Sequence, residues 1–224
     1  MLVEINDLLQ PAQLKKIDEI LSMAEFVDGK LTAGKAASRV KNNEELKGEP
    51  QQMQLLIRIL TSAMAHNSIF RSAVLPYRMA DPIFARYQSG MTYGDHVDDP
   101  LMGLSGQRFR SDVSMTLFLR DPETYQGGEL VVRTTFGEKR VKLKAGSAVI
   151  YPSSSLHHVA EVTEGERMVA LAWMQRYVRD PAQRELLYEL DLAREDLLAS
   201  APEAESTGLV DKSYANLLRM WGDV

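Results

Sequence analysis

The chain has 224 residues, of which 45% are hydrophobic and 25% charged, a mixture that excludes a disordered protein and predicts one domain with additional elements, or at most two small domains. Its net charge is −5 at pH 7, whereas nucleic-acid-binding proteins carry an excess of basic residues, so we expect no nucleic-acid partner. The absence of cysteine excludes disulfide bonds, thiolate catalysis and Cys-ligated zinc or iron–sulfur sites.

The start of the chain and its apolar runs predict neither a targeting segment nor a membrane span. Residues 3–7 mix apolar, polar and acidic side chains and do not form the basic and apolar regions of a signal peptide. The longest apolar run, Met168 to Met174, is much shorter than the roughly 20 residues that a transmembrane helix requires. We therefore expect a soluble, cytoplasmic protein without a membrane partner.

Two amphipathic helices are predicted in the first third of the chain. Apolar residues recur every three or four positions from Pro11 to Ala24, and Pro11 suits the first helical position. The same spacing predicts a second helix from Gln52 to His66. The polar and irregular stretch between them, Gly29 to Leu46, is predicted to be a loop.

After Pro82, short runs of β-branched and aromatic residues alternate with Gly, Pro and Asp, which is typical of strands. The predicted strands cover residues 82–88, 93–97, 113–119, 129–134, 138–144, 147–151, 157–163 and 167–174. Short strands without helical spacing between them favour a double-stranded β-helix, or jelly roll. Helical spacing returns after Pro181. The apolar patch from Leu217 to Trp221 leaves two alternatives open, packing against the same chain or covering a second subunit of a homo-oligomer.

The predicted fold is therefore mixed α and β, with a jelly-roll core flanked by N- and C-terminal helices. We expect one domain over residues 1–178, whose β core covers about 82–175, and a C-terminal helical extension over 179–224. No internal repeat or low-complexity segment interrupts this arrangement.

Because the chain has no cysteine, a transition-metal site requires histidine and carboxylate ligands. His66 ends the second predicted helix and is interpreted as a surface or capping residue. The sequence His96-Val97-Asp98 is more informative, because residues i and i+2 of a strand point to the same face and bring an imidazole and a carboxylate together. An isolated pair of this kind more often belongs to a solvated loop, so a third ligand is needed.

The adjacent His157 and His158 are the candidates for that third ligand. The segments on either side of residues 164–166 have the pattern of two hairpin arms joined by a loop that contains Gly. That turn would place His157 opposite Trp173 and on the same face as the cation Arg167, with His158 on the other face. A loop one residue longer or shorter would separate His157 from Arg167. Under the predicted turn, His157 is the ligand and Trp173 could form a wall of the site.

Two imidazoles and one carboxylate form the facial triad of non-haem Fe(II) oxygenases, which leaves three coordination positions open. A 2-oxo acid can occupy two of these positions and O₂ the third. Arg167 is suited to hold the far carboxylate of a 2-oxo diacid. Two other functions stay open: a zinc-dependent hydrolase with Asp95, Asp99 or Glu161 as its base, and a non-catalytic jelly-roll binding or sensing module.

Several stretches of the chain share the pattern of a known family. They read FARYQSGMTYGDHVD (84–98), DVSMTLFLRD (112–121), YQGGELVV (125–132), YPSSSLHHV (151–159) and VTEGER (162–167). In these stretches the chain resembles the bacterial PKHD-type hydroxylases, relatives of the prolyl 4-hydroxylases in the Fe(II)/2-oxoglutarate dioxygenase superfamily. The likeness extends from Val27 to the C-terminal helices and includes Lys41-Asn42-Asn43, a segment to which no role is assigned.

The resemblance implies roles for individual residues. The implied iron ligands are His96, Asp98 and His157, and the implied anchor of the 2-oxoglutarate carboxylate is Arg167. Tyr87 matches an aromatic position near the co-substrate in related prolyl hydroxylases, although one residue fewer separates it from the His-x-Asp motif. Those relatives carry a tyrosine where this chain has Phe118. Since a phenyl ring cannot donate a hydrogen bond, part of the co-substrate clamp must differ here.

The implied activity is that of an Fe(II)- and 2-oxoglutarate-dependent dioxygenase that hydroxylates an unidentified peptidyl or small-molecule substrate and releases succinate and CO₂. Its partners are then 2-oxoglutarate, O₂ and that substrate, with Fe²⁺ as the metal and L-ascorbate (vitamin C) as a further cofactor. Some bacterial members are associated with iron uptake, which implies an iron-linked substrate. Substrate contacts are expected from Gly29–Leu46 and Asp99–Arg110.

Overall fold

The structure is a computed structural model that describes residues 1–35, 37–103 and 106–223. Its α-helices are α1 Pro11–Leu21, α2 Pro50–His66, α3 Ser68–Val74, α4 Pro181–Ser200 and α5 Glu205–Trp221, with 3₁₀ turns at Gly29–Thr32, Ala37–Arg39 and Pro122–Thr124. Its strands are β1 Val3–Ile5, β2 Glu25–Asp28, β3 Lys41–Asn42, β4 Glu44–Lys47, β5 Pro76–Met79, β6 Ile83–Tyr87, β7 Thr92–His96, β8 Leu101–Met102, β9 Phe109–Arg110, β10 Val113–Phe118, β11 Tyr125–Gly127, β12 Leu130–Thr134, β13 Gly137–Val141, β14 Ala148–Pro152, β15 His157–Val159, β16 Val162–Gly165 and β17 Arg167–Arg176.

Both predicted N-terminal helices are confirmed, and each begins with a proline at its first position. The backbone N–H of Gln10 donates to Oε1 of Gln13 at 2.8 Å, which satisfies a donor at the start of α1. The structure adds the short helix α3, which was not predicted. Over the described residues, no helix combines the length and the apolar content that crossing a membrane would require.

The strands form two facing sheets, which confirms the predicted jelly roll. The larger sheet has the order β1-β14-β10-β17-β6-β4-β2, with β5 also paired to β17. The smaller sheet has the order β13-β12-β15-β7-β3. Short ladders join β8 to β9 and β11 to β16. All of the strands predicted after Pro82 are present, but the one predicted over 157–163 is divided into β15 and β16.

Strand β17 separates the two layers of the core through the alternation of its side chains. Met168, Ala170, Ala172 and Met174 pack toward α1 and α2, whereas Val169 packs into the space between the sheets. Burying a side chain of the size of methionine or valine contributes roughly 1.5 to 3 kcal/mol to the free energy of unfolding. The helices therefore cover the outer face of the larger sheet, and its inner face is left to line the space between the sheets.

The prediction of a loop from Gly29 to Leu46 is wrong over part of this segment, because the segment contains 3₁₀ turns and the strands β3 and β4. The physical reason is that Lys41, Asn43 and Glu45 are buried although polar, so the pattern of an apolar strand face is missing from the sequence. The segment Asp99–Arg110 likewise contains the ladder of β8 and β9. Residue 36 of the first segment and residues 104 and 105 of the second lie outside the described residues.

The C-terminal helices pack against α3 and against Val178, which follows β17. Asp180 accepts hydrogen bonds from the first turn of α4 at 2.7 and 3.0 Å, as an N-cap does. Leu217, Leu218 and Trp221 pack against the buried Leu187 of the same chain. The first alternative for the apolar patch is therefore observed. The division of the chain between residues 178 and 179 stays a prediction.

Candidate metal centre

Strands β7 and β15 are neighbours in the smaller sheet, and their register places His96 opposite His157. The two imidazole centroids lie 4.2 Å apart. Asp98 follows directly after β7, and its Oδ1 lies 3.8 Å from Nε2 of His96 and 3.7 Å from Nε2 of His157. One ligand atom from each of these residues lies within 4.8 Å of the others. The sequence thus folds the three predicted ligands into one compact cluster.

Backbone carbonyls orient both imidazoles. Nδ1 of His96 lies 2.9 Å from the carbonyl oxygen of Gly94, and Nδ1 of His157 lies 2.9 Å from that of Ser155. A carbonyl only accepts, so each Nδ1 carries a proton and donates, and each Nε2 is the ring nitrogen on the side of Asp98. This is the tautomer that a metal ligand needs.

The surroundings of His96 keep its imidazole neutral. Burial, and then the neighbouring His157, lower the pKa of His96 from its usual 6.5 to about 4. A neutral imidazole is the form that binds metals. Near pH 7, protons therefore compete little with a metal for His96.

The two remaining histidines lie in different surroundings. His158 points to the other face of the smaller sheet, where its Nδ1 lies 3.0 Å from Oδ1 of Asp95. Asp95 also pairs with Arg133 at 2.8 Å. His66 is exposed at the end of α2, with Nδ1 2.7 Å from the carbonyl oxygen of Ser62. The structure therefore groups His157, and neither His158 nor His66, with His96 and Asp98.

The hairpin that was predicted around residues 164–166 is wrong. Strand β15 pairs with β12 and β7 in the smaller sheet, β16 pairs with β11, and β17 lies in the larger sheet between β10 and β6. Trp173 is accordingly opposite Ser114, not His157. The chain crosses from one sheet to the other after Val162, a long-range arrangement that local turn spacing does not encode. His157 and Arg167 still face each other, because each points into the space between the sheets.

A cavity of about 120 Å³ lies in that space and is lined by the histidine–aspartate cluster and by Arg167. Arg167 is 1% exposed. Among the described residues, no group accepts a hydrogen bond from its Nε or Nη1. A buried guanidinium with two nitrogens left without an acceptor carries a desolvation cost, and a carboxylate is the partner that its geometry fits best. The cavity therefore has a binding point for an anion beside the cluster.

Aromatic rings and a glycine hold the Arg167 side chain in place. Its Cζ lies 4.8 Å from the ring centroid of Tyr87, its partner across β6 and β17, and 5.7 Å from that of Phe118. Gly128 has a φ of +69°, and a Cβ there would lie 3.0 Å from Cδ of Arg167 and 3.2 Å from Cε2 of Tyr125. Glycine thus allows the close approach of that loop to the arginine.

Sequence reasoning missed several polar side chains that line the cavity. Thr116 and Tyr151 bring hydroxyl groups to the wall on the larger sheet, and Lys41 and Glu45 bring charges from β3 and β4. Burial raises the pKa of the Tyr151 hydroxyl well above its usual value. Alternation along β14 was the available signal for Tyr151, because Tyr151 shares its face with the buried Val149.

The donor set fits the metal that the sequence implied. Two imidazoles and one carboxylate leave coordination positions for other ligands, which is typical of non-haem Fe(II) sites. Arg167 lines the same cavity, and its Nε and Nη1 have no acceptor among the described residues, which fits a co-substrate that carries a second carboxylate.

Comparisons with known proteins agree with this donor set. Residues 82–175 match the 2OG-Fe(II) oxygenase superfamily, and residues 181–223 match the PKHD-type hydroxylase C-terminal domain. The chain is 50% identical over 224 residues to a PKHD-type hydroxylase of Thioalkalivibrio sulfidiphilus, an alignment that covers 100% of both proteins.

Solved structures with the same fold include a prolyl hydroxylase of Trichoplax adhaerens in complex with a hypoxia inducible factor peptide fragment. It is 15% identical, with a TM-score of 0.56, and the match covers 83% of this chain and 86% of that one. HygX of Streptomyces hygroscopicus, with nickel and 2-oxoglutarate bound, is 14% identical with a TM-score of 0.55, over 79% of this chain and 84% of that one. At these identities the likeness establishes the fold alone.

Proposed function

The chain belongs to the PKHD-type hydroxylases of the 2OG-Fe(II) oxygenase superfamily, and on that basis we propose that His96, Asp98 and His157 hold Fe(II) beside a 2-oxoglutarate that Arg167 binds. The observation that carries this proposal is the buried guanidinium of Arg167, which lines the cavity of the cluster and has no acceptor for Nε and Nη1 within the described residues. When bound, Fe(II) supplies the activation of O₂ that couples decarboxylation of 2-oxoglutarate, to succinate and CO₂, with hydroxylation of a C–H bond.

The residues of the chain bind, orient and exclude water. Asp98 supplies a negative charge to the metal, and the two imidazoles are held by the carbonyls of Gly94 and Ser155. Arg167 fixes the far carboxylate of the co-substrate through charge-assisted hydrogen bonds. Tyr87 stacks against that guanidinium and keeps the region around it dry.

Hydroxyl donors beside Arg167 compensate for the phenyl ring of Phe118. Thr116 and Tyr151 line the same cavity, and the edge of the Tyr151 ring faces His157 with centroids 5.1 Å apart. Tyr151 thus lies next to the proposed metal ligand, on the wall that also carries Arg167. We propose that these two hydroxyl groups donate to the co-substrate in place of the tyrosine that Phe118 replaces.

The hydroxylated substrate belongs to a peptidyl or small-molecule class, and an iron-uptake role with L-ascorbate as a further cofactor is part of the same proposal. Both classes occur among proteins of this fold, since one neighbour is in complex with a peptide fragment and another with hygromycin B. The lining of the cavity includes Ala33, Ala37 and Met102, which lie in the segments expected to contact the substrate. A cytoplasmic location, a homo-oligomer and a separate C-terminal extension over 179–224 stay predictions.

The test adds 2-oxoglutarate to the anaerobic, Fe(II)-loaded protein and records the visible charge-transfer absorption, then admits O₂ and measures succinate. We expect a band and succinate in the parent and in His158→Ala, and neither in His157→Ala. Arg167→Ala should form the band only at much higher 2-oxoglutarate concentration, because it loses a charge-assisted pair.

The alternative functions give different results in the same experiment. A zinc-dependent hydrolase or a non-catalytic binding module would show no band and no succinate in a folded, Fe(II)-loaded parent protein. That outcome would refute the proposed site and return the choice to those two functions.

A further inference from the structure

A buried ion pair on the cavity wall lies outside the residues that match the oxygenase superfamily, 82–175. Nζ of Lys41 donates to Oε1 of Glu45, and the two side chains are 7% and 4% exposed. Thr32 completes the group, since its hydroxyl donates to Oε2 of Glu45 at 2.6 Å and accepts from Lys41 at 3.3 Å. All three residues line the cavity.

The two partners of this pair belong to different sheets. Lys41 lies in β3 and is paired with Tyr93 of β7, at the edge of the smaller sheet. Glu45 lies in β4 and is paired with Ala85 of β6 in the larger sheet. The ion pair therefore joins the two sheets where the cavity lies between them.

The smaller-sheet end of this connection reaches a proposed metal ligand. Nζ of Lys41 lies 5.4 Å from the ring centroid of Tyr93. The Tyr93 ring in turn stacks on the imidazole of His96, with centroids 3.7 Å apart and planes 11° from parallel. Gly94, whose carbonyl holds Nδ1 of His96, donates its N–H to the carbonyl oxygen of Val40 at 2.9 Å. The face of the imidazole and its Nδ1 partner are thus both held from the segment around β3.

A buried ion pair is a poor means of stabilising a fold, because the desolvation of two charges offsets their attraction. Its value is greater as a device that fixes geometry, and here its Lys41 lies over the ring of Tyr93. We propose that Lys41 and Glu45 are positioning residues for the metal centre, and that they hold Tyr93 so that its ring keeps His96 in the ligating orientation. This inference rests on the proposed function, because it requires that His96 bind a metal.

The test measures the affinity for Co²⁺ alone, whose visible d–d absorption also reports ligand geometry. The charge-neutral variant Lys41→Met/Glu45→Gln leaves no uncompensated buried charge, so it is expected to fold. We expect its Kd for Co²⁺ to rise about 10-fold or more, as is usual when outer-shell support of a ligand is lost, with an altered band shape.

The matched control is the neighbouring ion pair between β4 and β6. Nη2 of Arg86 lies 2.6 Å from Oε2 of Glu44, and these side chains are 24% and 27% exposed. Neither residue lines the cavity within the described part of the chain. The variant Arg86→Met/Glu44→Gln likewise removes one positive and one negative charge, here from β6 and β4, and should leave the Co²⁺ affinity and band unchanged.

A second variant separates positioning through Tyr93 from a general effect on the fold. Tyr93→Ala should weaken Co²⁺ binding to a similar degree. Adding Lys41→Met/Glu45→Gln to it should then cause little further loss, because the two changes break the same connection. Full additivity, or a Lys41→Met/Glu45→Gln variant that binds Co²⁺ like the parent, would overturn the inference and leave the proposed metal site intact. A parent protein that binds no Co²⁺ would refute both the inference and the proposed metal site.

Discussion

Ser114 orients the carboxylate of Asp98: its hydroxyl donates a hydrogen bond to Oδ2 of Asp98 and lies 2.8 Å from the hydroxyl of Ser153. Ser114 is 2% exposed. With Oδ2 held in this way, Oδ1 faces His96 and His157 at 3.8 and 3.7 Å. A carboxylate with one oxygen fixed from behind presents the other to a metal without losing rotational freedom on binding.

The substitution Ser114→Ala is therefore expected to weaken metal binding by roughly 10- to 100-fold, because it frees the Asp98 carboxylate. Competition titration with Co²⁺ and a chromophoric chelator measures the change. Ser111→Ala is the control, since the Ser111 hydroxyl donates to the backbone carbonyl of Asp99 instead of a side chain. Equal affinities in Ser114→Ala and the parent would show that the hydrogen bond does not orient the ligand.

Arg167 combines a cost in stability with a gain in binding. Its guanidinium is buried, and its Nε and Nη1 have no acceptor in the described residues. Arg167→Met keeps most of the volume and removes the desolvated charge, so the free energy of unfolding of the ligand-free protein should rise by about 1 kcal/mol or more.

The same variant should lose stabilisation by 2-oxoglutarate. A ligand at a hundredfold excess over its Kd stabilises a protein by about 2.7 kcal/mol, which for a chain of this size raises Tm by roughly 5 to 10 °C. We expect that rise in the Co²⁺-loaded parent and its absence in Arg167→Met, as measured by differential scanning fluorimetry. Arg133→Met, which removes an arginine beside Asp95, should keep the full rise.

The elements that sequence periodicity predicts are those whose buried residues are apolar. Helices α1 and α2 repeat apolar residues with the helical period, β10 alternates apolar and polar residues over most of its length, and β17 contains a continuous apolar run. Strands β3 and β4 escaped prediction because their buried residues are charged or polar, including Lys41 and Glu45. A charge that is buried through a partner elsewhere cannot be told from a solvated charge in a single sequence.

Part of the candidate site could be predicted from the sequence. The i, i+2 rule places His96 and Asp98 on one side of the chain, and strand alternation orients Arg167. The choice of His157 over His158 rested on a hairpin that the structure replaces with strands of two different sheets. The choice of His157 agrees with the observed cluster, because β15 and β17 turn His157 and Arg167 toward the cavity between the sheets. Which strands lie beside β15 and β17 is determined by long-range pairing.

The two adjacent histidines provide a sharp test of the site. His157 is 3% exposed and faces Asp98, whereas His158 contacts Asp95 on the other face of the sheet. His157→Ala should abolish tight Co²⁺ binding, and His158→Ala should bind Co²⁺ within about twofold of the parent, because it removes only a partly exposed contact with Asp95. Isothermal titration of the two variants gives the comparison, and the reverse order of affinities would exclude His157 as the ligand.

Acid should destabilise the metal-free protein through His96. Burial and the neighbouring His157 lower the pKa of His96 from 6.5 to about 4 in the folded protein. Between these values the unfolded chain binds a proton at this residue and the folded protein does not. The free energy of unfolding therefore falls as the pH drops from 6.5 toward 4, and this contribution levels off below the folded-state pKa.

The measurement is the urea midpoint of the metal-free parent and of His96→Gln at several pH values between about 7 and about 4. Titrating groups remote from His96 contribute equally to both curves, so the difference between them reports His96 together with its interaction with His157. We expect the parent to lose stability more steeply across this window than His96→Gln. Parallel curves would mean that His96 titrates alike in the folded and unfolded chains, and that its imidazole is not held neutral by burial.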